Sequence, residues 1–270
     1  ITTKSGQSSD GKPTVSFDTF YSLDQVGMLP DLQETFAQGS NGNFAINSPF
    51  TWGPRISEVG TYTNELGEEE MARSYDNDEA FYQNGYTANT NLTIANNNEA
   101  GSYYLGIGYN TQEGIVPSTD LQRFNIKLNG KYKISERFTT SISLNYSDLE
   151  VNDFPDLVGN ENYFRSLTDV PPSYNLAGKP YSFPNNPYRQ LYFRSTQNNP
   201  YWIVNNNNRN SRTPRTFGNI FLEYAFNDNL SLNYRFGLDN FSTSRTDFRE
   251  LGTGPQGRTN SPSGGELILQ

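Results

Sequence analysis

The chain has 270 residues, carries a net charge of −9 and contains neither cysteine nor histidine. This sequence therefore holds no disulfide, no thiolate nucleophile, no zinc site with nitrogen or sulfur ligands and no histidine-based triad; an acidic chain without clustered Lys and Arg also fits no nucleic-acid partner. Hydrophobic residues are only 33% of the total, yet 14% are aromatic, with 18 Tyr and 18 Phe, a mixture that fits half-wet strands with long polar loops better than disorder, which is poor in aromatics.

No apolar run reaches the length of a transmembrane helix, which leaves open a β-barrel, since barrels span with about ten alternating residues. The first alternating segment is 14–21, with Val15, Phe17, Thr19 and Tyr21 on one face. A long polar connection, 22–85, holds an expected short helix over Leu29–Ala37, glycine turns at 39–42 and the acidic run Glu68-Glu-Glu70. Segment 86–95 follows, then a tight turn at 96–101 and segment 102–110, with Tyr103, Leu105, Ile107 and Tyr109 aligned and Gly106 and Gly108 on the wet side. After a medium loop at 111–120 come 121–133 and 137–147, joined near Ser135-Glu136. Phe124, Ile126, Leu128 and Tyr132 oppose Asn125, Lys127, Asn129 and Lys131; Phe138, Ile142, Leu144 and Tyr146 oppose Thr139, Ser141, Ser143 and Asn145. Successive strand side chains point to opposite faces, so each strand has an apolar and a wet side. Connection 148–215 is rich in Asn, Pro and Tyr. Segments 216–226 and 230–240 are joined at Asn227-Asp-Asn229, and a loop at 242–265 leads to the start of another strand at Glu266–Gln270.

Connections alternate short and long, so the long ones gather at one end of the sheet. Loops above about 15 residues are uncommon in compact domains, whereas outer-membrane barrels combine short periplasmic turns with long extracellular loops. Aromatics near strand ends, such as Phe124 and Tyr132 or Phe138 and Tyr146, suit interfacial girdles. The expected fold is all-β: an antiparallel transmembrane β-barrel arc of about seven strands, part of a larger barrel. A soluble sandwich, or a self-contained eight-stranded barrel or adhesin-like protein, stays open at this point. The small wet-face residues of 102–110 and 137–147 do not fill a narrow bore, which favours the wider barrel. Both ends of the chain are expected to lie inside a longer protein.

An ordered series of motifs resembles the SusC/RagA-like TonB-dependent outer-membrane transporters of Bacteroidota. Ile1-Thr-Thr-Lys-Ser-Gly6 is similar to the end of their plug domain. Gln38-Gly-Ser-Asn-Gly42 and Thr51-Trp-Gly-Pro-Arg55 are similar to segments of their first extracellular loop. Phe81-Tyr-Gln-Asn-Gly85 with Asn89-Thr-Asn-Leu-Thr-Ile94, then Ser102-Tyr-Tyr, Gly114-Ile-Val-Pro-Ser-Thr-Asp120 and Arg123-Phe-Asn-Ile-Lys-Leu-Asn129, match the second to fourth strands. The ordered likeness covers about residues 1–146; beyond it only the architecture is shared. One departure is Asn96-Asn-Asn-Glu99, where the family has a glycine-rich turn.

The resemblance implies a plug end over 1–12, a barrel portion over 13–270, and a complete barrel of about 22 strands. It also implies an importer of oligosaccharides or peptides, a SusD-like surface lipoprotein as lid, coupling to TonB–ExbB–ExbD through the plug, and contact with outer-membrane lipid. Trp52, Arg55, Tyr181, Tyr188, Tyr192 and Trp202 are the expected substrate or lid contacts. Asn125, Lys127, Asn129, Lys131 and Arg235 are expected to face the lumen. Asp76-Asn-Asp78-Glu79 offers hard oxygen ligands but lacks a full EF-hand pattern, and Glu68–Glu70 reads as a solvated charge run. No catalytic residue, metal or cofactor is assigned. A surface β-sandwich enzyme acting on glycans is the remaining alternative, and no acid pair in a strand context supports it.

Overall fold

Alternation of apolar and polar residues becomes one antiparallel wall. The computed structural model describes residues 12–155, 162–253 and 265–270; the motif Ile1–Gly6 and nearly all of the expected plug end lie outside them. Strand β1 (Thr14–Asp24) leads into a connection holding β2 (Gly39–Ser40), β3 (Asn43–Phe44), helix α1 (Ile56–Val59), β4 (Thr61–Thr63), β5 (Glu69–Met71) and α2 (Asn77–Phe81). The wall continues with β6 (Gly85–Asn98), β7 (Gly101–Glu113), β8 (Asp120–Lys133) and β9 (Phe138–Asp153). A second connection carries α3 (Tyr163–Thr168), β10 (Ser182–Phe183), β11 (Asn186–Gln190) and α4 (Pro200–Asn206). The wall ends with β12 (Asn207–Asn227), β13 (Leu230–Phe241), β14 (Ser244–Arg249) and β15 (Glu266–Leu269).

The sheet order is β1-β6-β7-β8-β9-β12-β14-β15, with β13 also on β12. β13 and β14 are one strand with a break. Arg215 opposes Phe241 and Arg212 opposes Ser244, so the register against β12 runs through Ser242-Thr243 without slipping. The break lies beside Pro214, which has no N–H to give to a ladder; the Ser242 N–H donates instead to the Pro214 carbonyl at 3.4 Å. Among the described residues β1 and β15 do not meet, so the sheet stays open. The chain is therefore not a closed eight-stranded barrel.

Register carries the apolar face across the whole wall. Val15 and Phe17 of β1 oppose Ile94 and Leu92, which oppose Leu105 and Ile107; these oppose Leu128 and Ile126. Leu128 opposes Leu144, Ile142 opposes Ile220, and Ile220 opposes Phe236. This face is open: Phe17 is 66% exposed, Leu232 60% and Phe236 56%. A continuous apolar band of this extent is not left bare by a water-soluble monomer. Rings collect at both of its edges. Tyr21 stacks on Tyr86 at 5.9 Å and Phe124 meets Tyr146 at 6.5 Å on the loop side; Phe138 meets Tyr224 at 6.4 Å and Tyr224 meets Phe226 at 4.9 Å on the turn side.

The wall itself encloses almost nothing. Of its residues only Ala95 is a buried hydrophobic; the apolar core lies in the long connections. Phe81, Leu167, Val170, Tyr174, Leu176, Tyr192, Phe193 and Val204 form one cluster, flanked by Tyr82, Val116, Phe154, Tyr163 and Tyr201. The expected loops 22–85 and 148–215 therefore join into a lobe with its own core, at the end of the wall opposite the short turns.

Several expectations are corrected. The segment 29–37 is not helical: the Gln33 side chain accepts from the Thr35 and Phe36 N–H groups and donates to the Phe36 carbonyl, closing a local turn that competes with helical bonding. β9 runs on to Asp153 and β12 begins at Asn207, well outside the expected 137–147 and 216–226. These extensions read Asn207-Asn-Arg-Asn-Ser-Arg-Thr-Pro-Arg215 and Ser147-Asp-Leu-Glu-Val-Asn-Asp153. Paired strands that rise past the apolar band no longer need an apolar face, so alternation vanishes while the ladder continues. For the same reason β14 occupies 244–249 within the expected loop 242–265; residues 254–264 of that loop lie outside the described residues.

Adjacent residues on β9 test the face assignment. We expect Leu144→Arg, at mid-height on the apolar face, to destabilise the lipid-reconstituted protein by about 2–4 kcal/mol in urea titration. Ser143→Arg, on the wet face, should cost well under 1 kcal/mol.

Candidate functional site in the loop lobe

The motif residues of the first connection build a crossing of two chain segments. The Ala37 N–H donates to the Pro54 carbonyl at 2.9 Å, Gly53 to Ala37 at 3.0 Å, Gly39 to Phe50 at 2.7 Å and Trp52 to Gly39 at 3.1 Å. The segments pass so closely that a β-carbon on Gly39 would stand 1.9 Å from the Asn43 carbonyl oxygen, and one on Gly53 would stand 2.7 Å from that of Gln38. Gly39 also has φ +140°, a conformation other residues rarely adopt. Gln38, almost fully buried, receives a bond from the Ser173 hydroxyl at 3.2 Å, gives its own backbone N–H to that oxygen at 3.0 Å, and donates from Nε2 to the Ile46 carbonyl.

Polar side chains then fasten the two long connections together. Asn77 Nδ2 donates to the Tyr174 carbonyl at 2.9 Å, and its Oδ1 accepts from the Leu176 N–H at 3.1 Å. The Tyr75 N–H donates to Pro172 and the Tyr201 hydroxyl to Ala80, both at 2.9 Å. Asp76, Asn162 and Asn199 cap α2, α3 and α4, the role for which Asn and Asp are favoured. The abundant asparagine of this region thus pairs backbone groups that irregular structure would leave unmet.

One buried ion cluster joins the connections as well. Lys179 Nζ lies 2.8 Å from Glu65 Oε2 and 2.9 Å from Glu70 Oε2, with the lysine side chain 7% exposed, and stands 4.4 Å from the centre of the Tyr174 ring. Burial, with Glu70 and Glu65 close by, raises the Tyr62 phenol above its ordinary value; burial does the same more strongly for Tyr174 and Tyr192. All three stay neutral across the physiological range. The run Glu68–Glu70, expected to be a solvated face, therefore divides, with Glu70 turned inward to Lys179.

Beside this cluster opens a cleft of about 610 Å³. The β4–β5 hairpin supplies Thr63, Asn64 and Glu65, the first connection adds Ile46 and Asn47, and the second supplies Phe183, Arg189, Gln190 and the run Tyr192–Thr196. The Arg189 guanidinium stacks 4.1 Å over the Phe183 ring, and Arg194 Nε donates to Thr196 Oγ1 at 2.9 Å. These arginines were not singled out from the sequence. Their signal is the run Tyr188-Arg-Gln-Leu-Tyr-Phe-Arg194, where aromatic and basic residues interleave.

The expected contact residues separate into exposed and interior groups. Trp52 is 68% exposed, Tyr188 is exposed, and Tyr181 is partly so. Arg55 packs 5.5 Å over Phe36. Tyr192 and Trp202 are core residues; Trp202 is fully enclosed, and Tyr192 keeps only a small face on the cleft. The Tyr192 hydroxyl donates to the Ser166 carbonyl at 2.6 Å, and Trp202 is fully buried with Nε1 donating to Thr253 Oγ1 at 2.7 Å. On the wall, Asn125, Lys127, Asn129 and Lys131 share the wet face of β8; Asn129 accepts from Ser143 at 2.8 Å. Arg235 stacks 5.1 Å over Phe221 on the wet face of β12 and β13. Among the described residues no group of three or more acidic side chains is placed to hold a metal. Asp76 is a helix cap, and burial beside Asp76 raises Asp78.

Above the apolar band, arginine–aspartate pairs replace apolar contacts between strands. Arg245 Nε and Arg209 Nε reach Asp247 Oδ1 at 2.8 and 3.0 Å. The Arg245 bond, opposed by partial burial and helped by Arg209, lowers the Asp247 carboxyl to about 2. Arg212 and Asp148 pair in the same way between β12 and β9.

No protein-family model matches the chain. Two curated relatives do, both from Formosa agariphila: TonB-dependent receptor P3, 27% identical over 146 residues, and TonB-dependent receptor P26, 27% identical over 207 residues. They align with 53% and 68% of this chain. Among solved structures the RagAB peptide importer in its closed-closed state superposes on 94% of the chain with a TM-score of 0.65 at 16% identity, and the open-open state on 92% with the same score at 17%. The chain is thus similar in sequence to TonB-dependent receptors and shares the fold of the RagAB importer. It spans 12% and 18% of the length of the two receptors and about 30% of the RagAB chains. The likeness to a barrel wall fits the apolar band, the two ring levels and the open sheet edges, and the motifs at 38–42 and 51–55 are structural residues of the lobe.

Three substitutions probe the lobe and the strand ends beside it. Lys179→Met leaves two buried carboxylates without their cation and should cost about 3–5 kcal/mol, read as earlier proteolysis of 25–84 and 154–206 at an unchanged wall. Gly39→Ala should give the same proteolytic pattern. The lowered Asp247 value means that its stabilisation is complete above the ordinary carboxylate range and fades as pH falls through about 2. Protection of the β14 amides, relative to their intrinsic exchange rates, should therefore fall between pH 4 and 2 in the native protein and be low already at pH 6 in Asp247→Asn.

Proposed function

We propose that the chain is the early wall and loop lobe of an outer-membrane TonB-dependent importer of the Bacteroidota type, which takes up oligosaccharides or peptides. The observation that carries this reading is the division of the molecule into a bare apolar wall and a single packed lobe formed from the long connections. In this reading the apolar face meets lipid. The wet face lines the lumen, where Asn125, Lys127, Asn129, Lys131 and Arg235 stand against a plug. The lobe, with exposed Trp52 and Tyr188, meets substrate and a SusD-like surface lipoprotein, and TonB–ExbB–ExbD supplies energy through the plug. The RagAB complex, named a peptide importer, supports the coarse assignment. Transport of this kind is capture, closure and release, with no covalent step for the protein to catalyse.

Deletion of the gene in its native host tests the reading. Loss of growth on a defined oligosaccharide or peptide, restored by the intact gene but not without TonB, is the expected result. Co-purification of a surface lipoprotein with the intact protein, weakened several-fold by Trp52→Ala, is expected if the lid contact is right. Growth on every oligomeric nutrient unaffected by the deletion would overturn the importer assignment.

A further inference from the structure

The cleft beside the β4–β5 hairpin has a charge pattern of its own. Glu65, the one carboxylate on its lining, shares the cation Lys179 with Glu70, at 2.8 and 2.9 Å. Arg189 and Arg194 have none: their described contacts are with the Phe183 ring and the Thr196 hydroxyl. Two guanidinium groups without acid partners therefore face one cavity in a chain whose net charge is −9. Guanidinium groups without acid partners on one cavity are the pattern expected where an oxyanion completes the site. Each guanidinium is also partly fixed, Arg189 by the ring beneath it and Arg194 by its Nε bond, which reduces the ordering cost of binding.

The remaining lining selects among oxyanion carriers. The short polar side chains Asn47, Thr63, Asn64, Ser195 and Thr196 stand on the lining, Thr63 bonded to Glu69 and Asn64 to Glu68 and Glu70. The apolar part is small, because Arg189 covers a face of Phe183 while Tyr192 and Phe193 are drawn into the lobe core. A peptide gains most from apolar holes for its side chains, and the cleft offers few. A sugar acid brings a carboxylate to the arginines and hydroxyls to the short polar groups. We propose that this cleft binds the acidic unit of a carboxylated oligosaccharide. Its volume of about 610 Å³ lies within the range of pockets for small ligands, about 300–1,000 Å³, and accommodates two to three sugar rings. The proposal rests on the importer reading for its role in uptake, while the binding itself is a property of the lobe.

Isothermal titration of the intact transporter in detergent tests it, with tri-galacturonate, the neutral galactose trimer and a tri-aspartate peptide as probes. Tri-galacturonate is expected to bind at least tenfold more tightly than the neutral trimer or the peptide, with affinity falling as salt rises. Arg194→Ala and Arg189→Ala should each weaken it tenfold or more, and Arg194→Lys, which keeps charge but loses the planar fork, should fall between. Both arginines are at least partly exposed, so these variants should keep the near-ultraviolet signature of the native lobe. Equal binding of the neutral trimer, tighter binding of the peptide, or full affinity in the arginine variants would each overturn the site. Gene deletion without any uptake defect would overturn the importer reading and leave the titration result standing.

Discussion

Hydrocarbon offers no partner to a backbone N–H or C=O, and the rest of this structure follows from that constraint. A sheet that meets lipid must satisfy its ladder strand against strand, and β6 through β12 do so in continuous register from the short turns to well beyond the apolar band. The same constraint leaves the wall without a core, because both of its faces are committed to something outside this chain. What the chain buries for itself is confined to the lobe, where water is near and irregular backbone is permitted. There the asparagine, serine and glutamine side chains pair the backbone groups that no ladder reaches.

The wall was largely legible in the sequence, because one side of each strand had to be apolar. Phe138, Ile142, Leu144 and Tyr146 announce β9 through their spacing alone. The strand ends were not legible. From Ser147 to Asp153 and from Asn207 to Arg215 the pairing persists with Arg–Asp contacts in place of apolar ones, and no periodicity marks it. The lobe was the least legible part. Trp202 and Tyr192 carry the same sequence signal as Tyr188, yet two are interior and one is exposed; the difference is set by Thr253 and Ser166, residues far along the chain that accept their polar atoms. Glu70 and Lys179 are likewise distant in sequence, so an acidic run that looked solvated conceals half of a buried cluster.

The site reading changes accordingly. A search guided by aromatic residues points to Trp202 and Tyr192, which are structural, and passes over Arg189 and Arg194, which stand on the cleft. In an acidic chain the informative residues are the cations that lack acid partners, and only the fold distinguishes Arg209, held by Asp247, from Arg194, held by a hydroxyl.

The fastenings of the lobe join residues 97 to 135 positions apart, as in Asn77 with Tyr174 and Gln38 with Ser173. Bonds between such distant residues form only after the intervening chain has been brought round, and the intervening chain here is β6 to β9. The closed lobe therefore ties the two ends of four wall strands together, so that the spacing of those strands and the packing of the apolar cluster depend on each other.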